Sequence, residues 1–193
     1  MKLFFSPTSP YARKVLVVVH ERGLVDQLEL HRVDPWSDPE ELRTASPLGR
    51  VPALVTRDGT AITESTIICE YLDGVGEHPS LFAPHRLEVL ARAGMAQGLT
   101  DAAVATVLER RRPPDRQWDH WVERQLDAIR RTLLAIPVPP GGRFDLGDIS
   151  LASGLAYLDL RLPEFDWRQF NRGLAEWFDD ISERPAMLAT KPA

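Results

Sequence analysis

Short apolar runs and longer helical periods alternate in the first third of the chain. Runs bounded by proline, glycine or charge predict strands at Lys2–Ser6 and Leu28–Val33. The segment Ala12–Arg22 contains valines that favour strands intrinsically, but its length and the stop signal at Gly23 predict a helix. A short helix is predicted for Pro39–Thr44.

The next stretch predicts a hairpin followed by a helix. Two strand-like pieces, Ala53–Val55 and Ala61–Thr63, are joined through Asp58-Gly59, a pair that tolerates the positive φ angles of a tight turn. Ser65–Leu72 then has a helical pattern. The order strand, helix, strand, helix, hairpin, helix predicts an α/β unit over residues 1–74.

Residues 75–84 are rich in glycine and proline and have no period, so we predict a linker there. Residues 85–193 show helical patterns only. The first of these helices has a face of small residues for which we predict close packing. That face contains Leu87, Leu90, Ala91, Gly94, Gly98, Ala102 and Ala105.

Three further helices are predicted in this second part: one along the apolar stripe from Trp118 to Leu133, one over Ile149–Leu162, and one around Phe178. The sequence before the middle one is a variant capping box. Asp145 can cap the helix, and the side chain of Asp148 can reach back to the backbone of Asp145. We expect this capping box to have a role in folding and not in chemistry.

Composition narrows the possible partners. The chain has 193 residues, of which 44% are hydrophobic and 26% charged, as in an ordinary globular protein. A net charge of −5 gives no general reason to expect nucleic acid. The basic run Arg110 to Arg112 precedes two prolines and is predicted to be a solvated helix end. No apolar run is long enough for a signal peptide or a bilayer, so we expect a cytoplasmic protein without membrane contact.

Cys69 is the only cysteine, which excludes an internal disulfide and a cysteine-rich zinc site. It lies in an apolar helical stretch and is predicted to be a buried, inert thiol. The five histidines show no metal-ligand spacing, and we expect no metal.

Three motifs occur in this pattern: SPYARKV after the first strand, RVPAL before the hairpin, and Glu64-Ser65 at a helix start. In this order and spacing they resemble the soluble glutathione transferase family, in particular its bacterial serine-type members. The resemblance implies a thioredoxin-like α/β domain over 1–74, a linker over 75–84, an all-α domain over 85–193, and a homodimer.

Ser9 falls on the catalytic serine of that family. In glutaredoxin-like relatives the tetrad Ser9-Pro10-Tyr11-Ala12 is Cys-Pro-Tyr-Cys, so a mixed disulfide with glutathione is excluded here. The resemblance implies instead that the hydroxyl donates a hydrogen bond to the sulfur of glutathione. Serine is also a favoured helix N-cap, and this structural interpretation remains open. Ser6, which also precedes a proline, is the alternative residue.

The Ser9 hydroxyl, with help from the helix N-terminus, can supply the free energy that this chemistry requires. A free thiol has a pKa of about 8.5, so only a few per cent of it is thiolate at neutral pH. Lowering that pKa by ~2 units requires about 2.7 kcal/mol of preferential stabilisation. A hydrogen bond to a charged group contributes about 1.5–3 kcal/mol, to which the helix N-terminus adds.

The resemblance also implies which residues bind glutathione. The Val51-Pro52 bond is cis in the family, so that the backbone of Val51 faces the ligand; from the residues alone a trans proline is expected. Glu64 meets the γ-glutamyl ammonium, and Ser65 with the helix N–H groups meets the carboxylate, although a simple helix cap is the alternative. Arg50 can reach the glycyl carboxylate or remain solvated.

We therefore expect a glutathione S-transferase that joins glutathione, as co-substrate, to a small hydrophobic electrophile. Two alternatives remain open. One is a glutathione-dependent isomerase or dehalogenase that uses the same binding site. The other is a non-catalytic protein of the same fold with a ligand-binding or regulatory role.

Overall fold

The computed structural model describes residues 1–192, and its first part contains a four-stranded sheet. The strands are β1 (Lys2–Phe5), β2 (Glu29–Arg32), β3 (Ala53–Val55) and β4 (Ala61–Thr63). Their order is β2-β1-β3-β4, with β2 parallel to β1 and with β3 and β4 each antiparallel to its predecessor in the sheet. This mixed sheet confirms the predicted thioredoxin-like α/β fold.

Three helices accompany this sheet: α1 (Pro10–Glu21), α2 (Glu40–Ala45) and α3 (Ser65–Val75). Helices α1 and α3 pack against each other, and α2 contacts β3. Because side chains alternate across a strand, Leu3 and Phe4 face opposite sides of the sheet, and both are buried. One core cluster around Phe4 consists of Val33, Leu42, Ala45 and Ala53, with Val51 and Val55 packed against it.

The predicted hairpin is present, but its turn is longer than a two-residue turn. Strand β3 pairs with β4 in antiparallel register, and the N–H of Thr56 donates to the carbonyl of Thr60 at 2.9 Å. Of the pair Asp58-Gly59, only Gly59 has a positive φ, 85°. Asp58 instead accepts hydrogen bonds from both threonines through its side chain.

The second part is helical, as predicted. Its long helices are α4 (Arg86–Arg110), α5 (Asp119–Ala135), α6 (Leu146–Arg161) and α7 (Arg172–Ser182). Helix α4 packs on both α5 and α6. The approach to α6 is close at Gly154, where an added Cβ would lie 2.7 Å from the hydroxyl oxygen of Thr100. Among residues 1–192, no helix is both long enough and apolar enough to cross a bilayer.

The small-residue face predicted to pack closely is exposed over much of its length. Leu87 is 80% exposed, and Ala91, Gly94 and Gly98 are exposed as well. Helix α4 buries another face because α5 and α6 lie on that side. The buried residues are Val89, Ala93, Ala96, Leu99, Thr100, Ala102, Ala103, Thr106 and Val107.

The variant capping box forms as predicted at the start of α6. The Asp145 carboxylate accepts from the N–H groups of Gly147 and Asp148, at 2.9 and 3.3 Å. The Asp148 carboxylate accepts from the N–H of Asp145 at 3.1 Å. The guanidinium of Arg92, on α4, forms ion pairs with both carboxylates. Burial and the charge of Asp145 raise the pKa of Asp148, against the opposing effect of Arg92.

A last short helix, α8 (Pro185–Ala189), belongs with the first part of the chain. Two compact units are present: residues 1–84 together with the segment that begins at Pro185, and residues 85–184. The sequence-based division assigned 85–193 to the helical domain. The structure groups α8 with the first unit because α8 packs on α1, where Arg13 donates to the carbonyl of Met187 at 3.2 Å.

Candidate functional site

Three segments with predicted site residues meet the sheet at one end. Ala53 pairs with Phe4 of β1 and with Thr63 of β4, so these three residues form a row across neighbouring strands. Neighbouring strands lie roughly 4.8 Å apart. Pro52 directly precedes this row and Glu64 directly follows it. The register therefore brings the cis-proline segment and the start of α3 to the end of the sheet where β1 also ends.

Ser9 follows β1 by four residues and is the N-cap of α1. Its φ and ψ are −80° and 121°, and its hydroxyl oxygen accepts from the N–H of Ala12 at 3.2 Å. The N–H of Ser9 donates to the carbonyl of Ser6 at 3.1 Å, which closes the turn after the strand. A hydroxyl that accepts one bond still has its own proton to donate. The capping and catalytic interpretations of Ser9 are therefore compatible.

The Val51-Pro52 peptide bond is cis, as the resemblance implies. Pro52 is buried, and Val51 is half-buried against the core cluster. Among residues 1–192, the N–H and C=O of Val51 have no hydrogen-bond partner. An extended ligand backbone can pair with two such groups as an added strand does. Arg50 is exposed on the preceding loop.

Glu64 is the N-cap of α3 and has a φ of 75°, which is uncommon for a residue other than glycine. Its two carboxylate oxygens each accept from the N–H of Thr66 at 3.1 Å, and one also accepts from Ile67 at 3.2 Å. The buried Ser65 donates its hydroxyl to the other oxygen at 3.2 Å. Non-glycine residues with such backbone angles cluster at functional sites.

The structure adds Lys14, a residue that the sequence motifs did not indicate. Lys14 is only 2% exposed, and its ammonium donates to the hydroxyl of Thr66 at 3.1 Å. This bond joins α1, which begins next to Ser9, to the first turn of α3. No local pattern in the sequence signals this burial, because it depends on the packing of α3 against α1, which is a long-range contact.

Two other buried groups near α1 and α3 do not fit a chemical role. Cys69 is fully buried, as predicted, and burial raises the pKa of its thiol to about 12, while the charge of Lys14 opposes the rise. The neutral thiol is the unreactive form. Burial lowers the pKa of Arg13 to about 10, so that its guanidinium is still charged at neutral pH.

Within residues 1–192, no three His, Cys, Asp or Glu side chains are grouped so that they could bind a metal ion. The helical unit contains a cavity of about 610 Å³ beside Arg92, Arg143, Asp145 and Asp148. Both aspartates are already used in the capping box and in the ion pairs with Arg92. These two carboxylates therefore join α4 to the start of α6.

Comparison with known proteins identifies the family. Residues 8–75 match the profile of the glutathione S-transferase N-terminal domain, and residues 119–180 match that of the C-terminal domain. A glutathione transferase family member from Pseudomonas fluorescens Pf-5, solved with bound glutathione, is 37% identical. The two superpose with a TM-score of 0.93 over 100% of this chain and 98% of that one. This chain belongs to the glutathione transferase family.

Two further comparisons cover the full length of this glutathione transferase family member. A second structure from Pseudomonas fluorescens Pf-5, with bound S-(propanoic acid)-glutathione, is 36% identical over 100% of both chains, with a TM-score of 0.89. The uncharacterized GST-like protein YibF of Escherichia coli K12 is 28% identical in an alignment of 201 positions, gaps included, that covers 100% of this chain and 98% of that protein.

Proposed function

We propose that this transferase family member binds glutathione at the end of the sheet next to Ser9, and that Ser9 activates the thiol for conjugation to a small electrophile. The observation that supports this most strongly is the strand register. It brings the Val51-Pro52 segment and the Glu64-Ser65 segment to one row of the sheet, at the end where the chain leaves β1 towards Ser9.

Each part of glutathione has a partner in this proposal. The unpaired N–H and C=O of Val51 bind the cysteinyl backbone as an added strand does. The γ-glutamyl ammonium binds Glu64, and the γ-glutamyl carboxylate binds Ser65 and the first N–H groups of α3, where the helix dipole favours an anion. Arg50, exposed on the neighbouring loop, binds the glycyl carboxylate.

Ser9 acts on the sulfur. Its hydroxyl donates a hydrogen bond that favours the thiolate over the thiol, and the thiol proton is released to solvent. A sulfur lone pair then attacks the electrophilic carbon and forms the carbon–sulfur bond, while the leaving group departs with its bonding electrons or the adduct takes a proton. Catalysis is thus the presentation of an activated nucleophile.

The family relatives support the proposal at the level of the ligand. One Pseudomonas fluorescens protein has been solved both with glutathione and with S-(propanoic acid)-glutathione, in which the sulfur has a substituent. A site of this type therefore accommodates both the free tripeptide and a sulfur-linked product. This supports conjugation as the reaction for the present chain.

The test replaces Ser9 by alanine and measures kcat/KM with glutathione and a panel of electrophiles. Loss of one hydrogen bond to a charged sulfur lowers kcat/KM by roughly 10- to 100-fold. The ultraviolet absorbance of the thiolate in the glutathione complex falls in parallel at neutral pH. Loss of the N-cap also lowers stability, by about 1 kcal/mol.

Ser6→Ala is the matched control, because Ser6 also precedes a proline and contributes only its carbonyl to the turn. We expect this variant to retain its activity. Equal turnover by Ser9→Ala and the natural protein would remove Ser9 from the mechanism. Including isomerisable and halogenated substrates in the panel separates conjugation from isomerisation and dehalogenation by the products formed.

We also propose that the protein is a cytoplasmic homodimer. The reducing cytoplasm keeps glutathione in the thiol form that the reaction requires. The exposed small-residue face of α4, with Leu87, Ala91, Gly94 and Gly98, is suited to close contact with a second copy. Exposed apolar surface of this kind marks interaction sites.

A further inference from the structure

A buried ammonium lies behind the first turn of α3. Lys14 comes from α1, is 2% exposed, and donates to the Thr66 hydroxyl at 3.1 Å. Lysine is almost never fully buried unless it is paired, because removing an ammonium from water is costly. The contact is therefore a specific feature of how α1 and α3 meet.

This ammonium is separated by a single residue from the proposed γ-glutamyl pocket. Thr66, which receives the lysine bond on its hydroxyl, donates its own N–H to both oxygens of Glu64 at 3.1 Å. Ser65 donates to the same carboxylate. The carboxylate of Glu64 thus lies in front of Thr66, and the ammonium of Lys14 lies behind it.

The γ-glutamyl end of glutathione has two opposite charges on one carbon atom. In the proposed complex the γ-glutamyl ammonium binds the carboxylate of Glu64. The γ-glutamyl carboxylate binds the N–H groups and the Ser65 hydroxyl that donate to Glu64 in the free protein. When Glu64 turns to the ammonium, the helix start has to remain favourable for an anion. A fixed positive charge behind Thr66 supplies that condition, in addition to the helix dipole.

We propose that Lys14 is a positioning residue for the γ-glutamyl end of glutathione, acting through Thr66 to keep the first turn of α3 in place and electropositive. This role rests on the proposed function, since it concerns the same ligand. Lys14 does not touch glutathione in this arrangement, because Thr66 lies between them. Its effect is on the affinity for glutathione and not on the chemical step.

Steady-state kinetics with varied glutathione test the role. For Lys14→Met we expect KM for glutathione to rise about tenfold with kcat within a factor of two, since a buried bond from a charged group is lost. Thr66→Val, which keeps its backbone N–H, gives a similar rise. In the double variant the two effects are less than additive, because each single change already removes the bond between Lys14 and Thr66. Lys14→Arg retains the charge and most of the affinity.

A dipeptide separates positioning from general structural damage. Cysteinylglycine has the thiol but lacks the γ-glutamyl group, so its kcat/KM is the same in Lys14→Met and the natural protein. Lys191→Met removes the same charge at an exposed position and leaves both substrates unaffected. An equal loss for glutathione and cysteinylglycine in Lys14→Met would overturn the proposal, as would an unchanged KM for glutathione.

The outcomes also separate this inference from the proposed function. If the natural protein does not bind glutathione in calorimetry, the proposed function fails first. If it binds and Lys14→Met binds equally well, only the role of Lys14 fails. Should Lys14→Met not fold, Thr66→Val decides in the same assay, and an unchanged KM in that variant overturns the role.

Discussion

At the scale of single residues, Ser9 and Glu64 both cap helices, but only one of them can cap and bind a ligand at once. The Ser9 hydroxyl accepts from Ala12 and still has a proton to donate. A carboxylate is acceptor-only, with about four lone-pair sites. In Glu64 the contacts from Ser65, Thr66 and Ile67 fill them. Binding of an ammonium by Glu64 therefore requires it to release part of its cap.

At the same scale, the buried Cys69 predicts how the free energy of unfolding depends on pH. Burial raises the pKa of this thiol to about 12 in the folded protein, and an unfolded cysteine has a pKa of about 8.5. Between these values the folded state keeps a proton that the unfolded state releases, so the free energy of unfolding falls as pH rises, by up to ~1.4 kcal/mol per pH unit. Below about pH 8 the thiol contributes no slope.

The measurement compares urea unfolding of the natural protein and of Cys69→Ala from pH 7 to pH 10. Other groups that titrate in this range contribute equally to both proteins, so the difference isolates the thiol. We expect the stability gap between the two proteins to change only above about pH 8, and to the disadvantage of the natural protein. Parallel curves over the whole range would contradict the buried, protonated state.

At the scale of elements, the start of α6 combines a cap with an ion pair. Asp145 binds two N–H groups of its own helix and also pairs with Arg92 of α4. Asp145→Ala loses the cap and leaves Arg92 with one carboxylate fewer, which we expect to lower the free energy of unfolding by about 2–3 kcal/mol. Thermal and urea unfolding measure the loss.

Asp145→Asn is the matched variant, because it keeps an oxygen for the cap and loses only the charge. Its loss of stability is expected to be smaller than that of Asp145→Ala. Activity at a temperature where both variants are folded should be unchanged, since the box has a role in folding. Equal destabilisation by asparagine and alanine would mean that the ion pair, and not the cap, accounts for the whole effect.

The elements themselves were largely predictable, and their buried cations were not. The predicted helix Ala12–Arg22 corresponds to α1 at Pro10–Glu21, and the predicted strand Lys2–Ser6 to β1 at Lys2–Phe5. Local periodicity determines such segments to within a residue or two. The burial of Arg13 and Lys14 depends instead on α3 and α8 covering α1, which is a long-range contact without a local pattern.

The candidate site was predicted through its motifs and not through its contacts. The positions of Ser9, Val51 and Glu64 follow from the resemblance, because such motifs specify residue types and spacing. The link from Lys14 to Thr66 depends on how two helices meet. The four bonds to the Glu64 carboxylate are local, but they accompany a positive φ of 75° at Glu64, which is uncommon for a residue other than glycine. Sequence spacing alone does not contain that information.

At the scale of the whole molecule, the proposed homodimer can be tested on α4. An added Cβ at Gly94 meets no atom within 4 Å, so a larger side chain does not disturb the single chain. Gly94→Arg places a charge on the exposed face and, in a two-fold dimer, places two. We expect the dissociation constant of the dimer to rise about 100-fold or more, because like charges in an interface cost several kcal/mol.

Sedimentation equilibrium measures the dimer, and Gly94→Ala is the control, since it keeps the face small. The stability of the single chain should rise by about 0.5–1 kcal/mol in both variants, because glycine is unfavourable inside a helix. If Gly94→Arg sediments as the natural protein does, the α4 face is not the interface.

The placement of α8 has a consequence for the order of synthesis. Domains generally fold as units while the ribosome is still adding residues, the N-terminal one first. Here the unit that contains Ser9 and Glu64 also contains the segment that begins at Pro185. The guanidinium of Arg13 donates a hydrogen bond to the carbonyl of Met187 in that segment. The α/β half is therefore translated first and completed last, after the entire helical half has emerged from the exit tunnel.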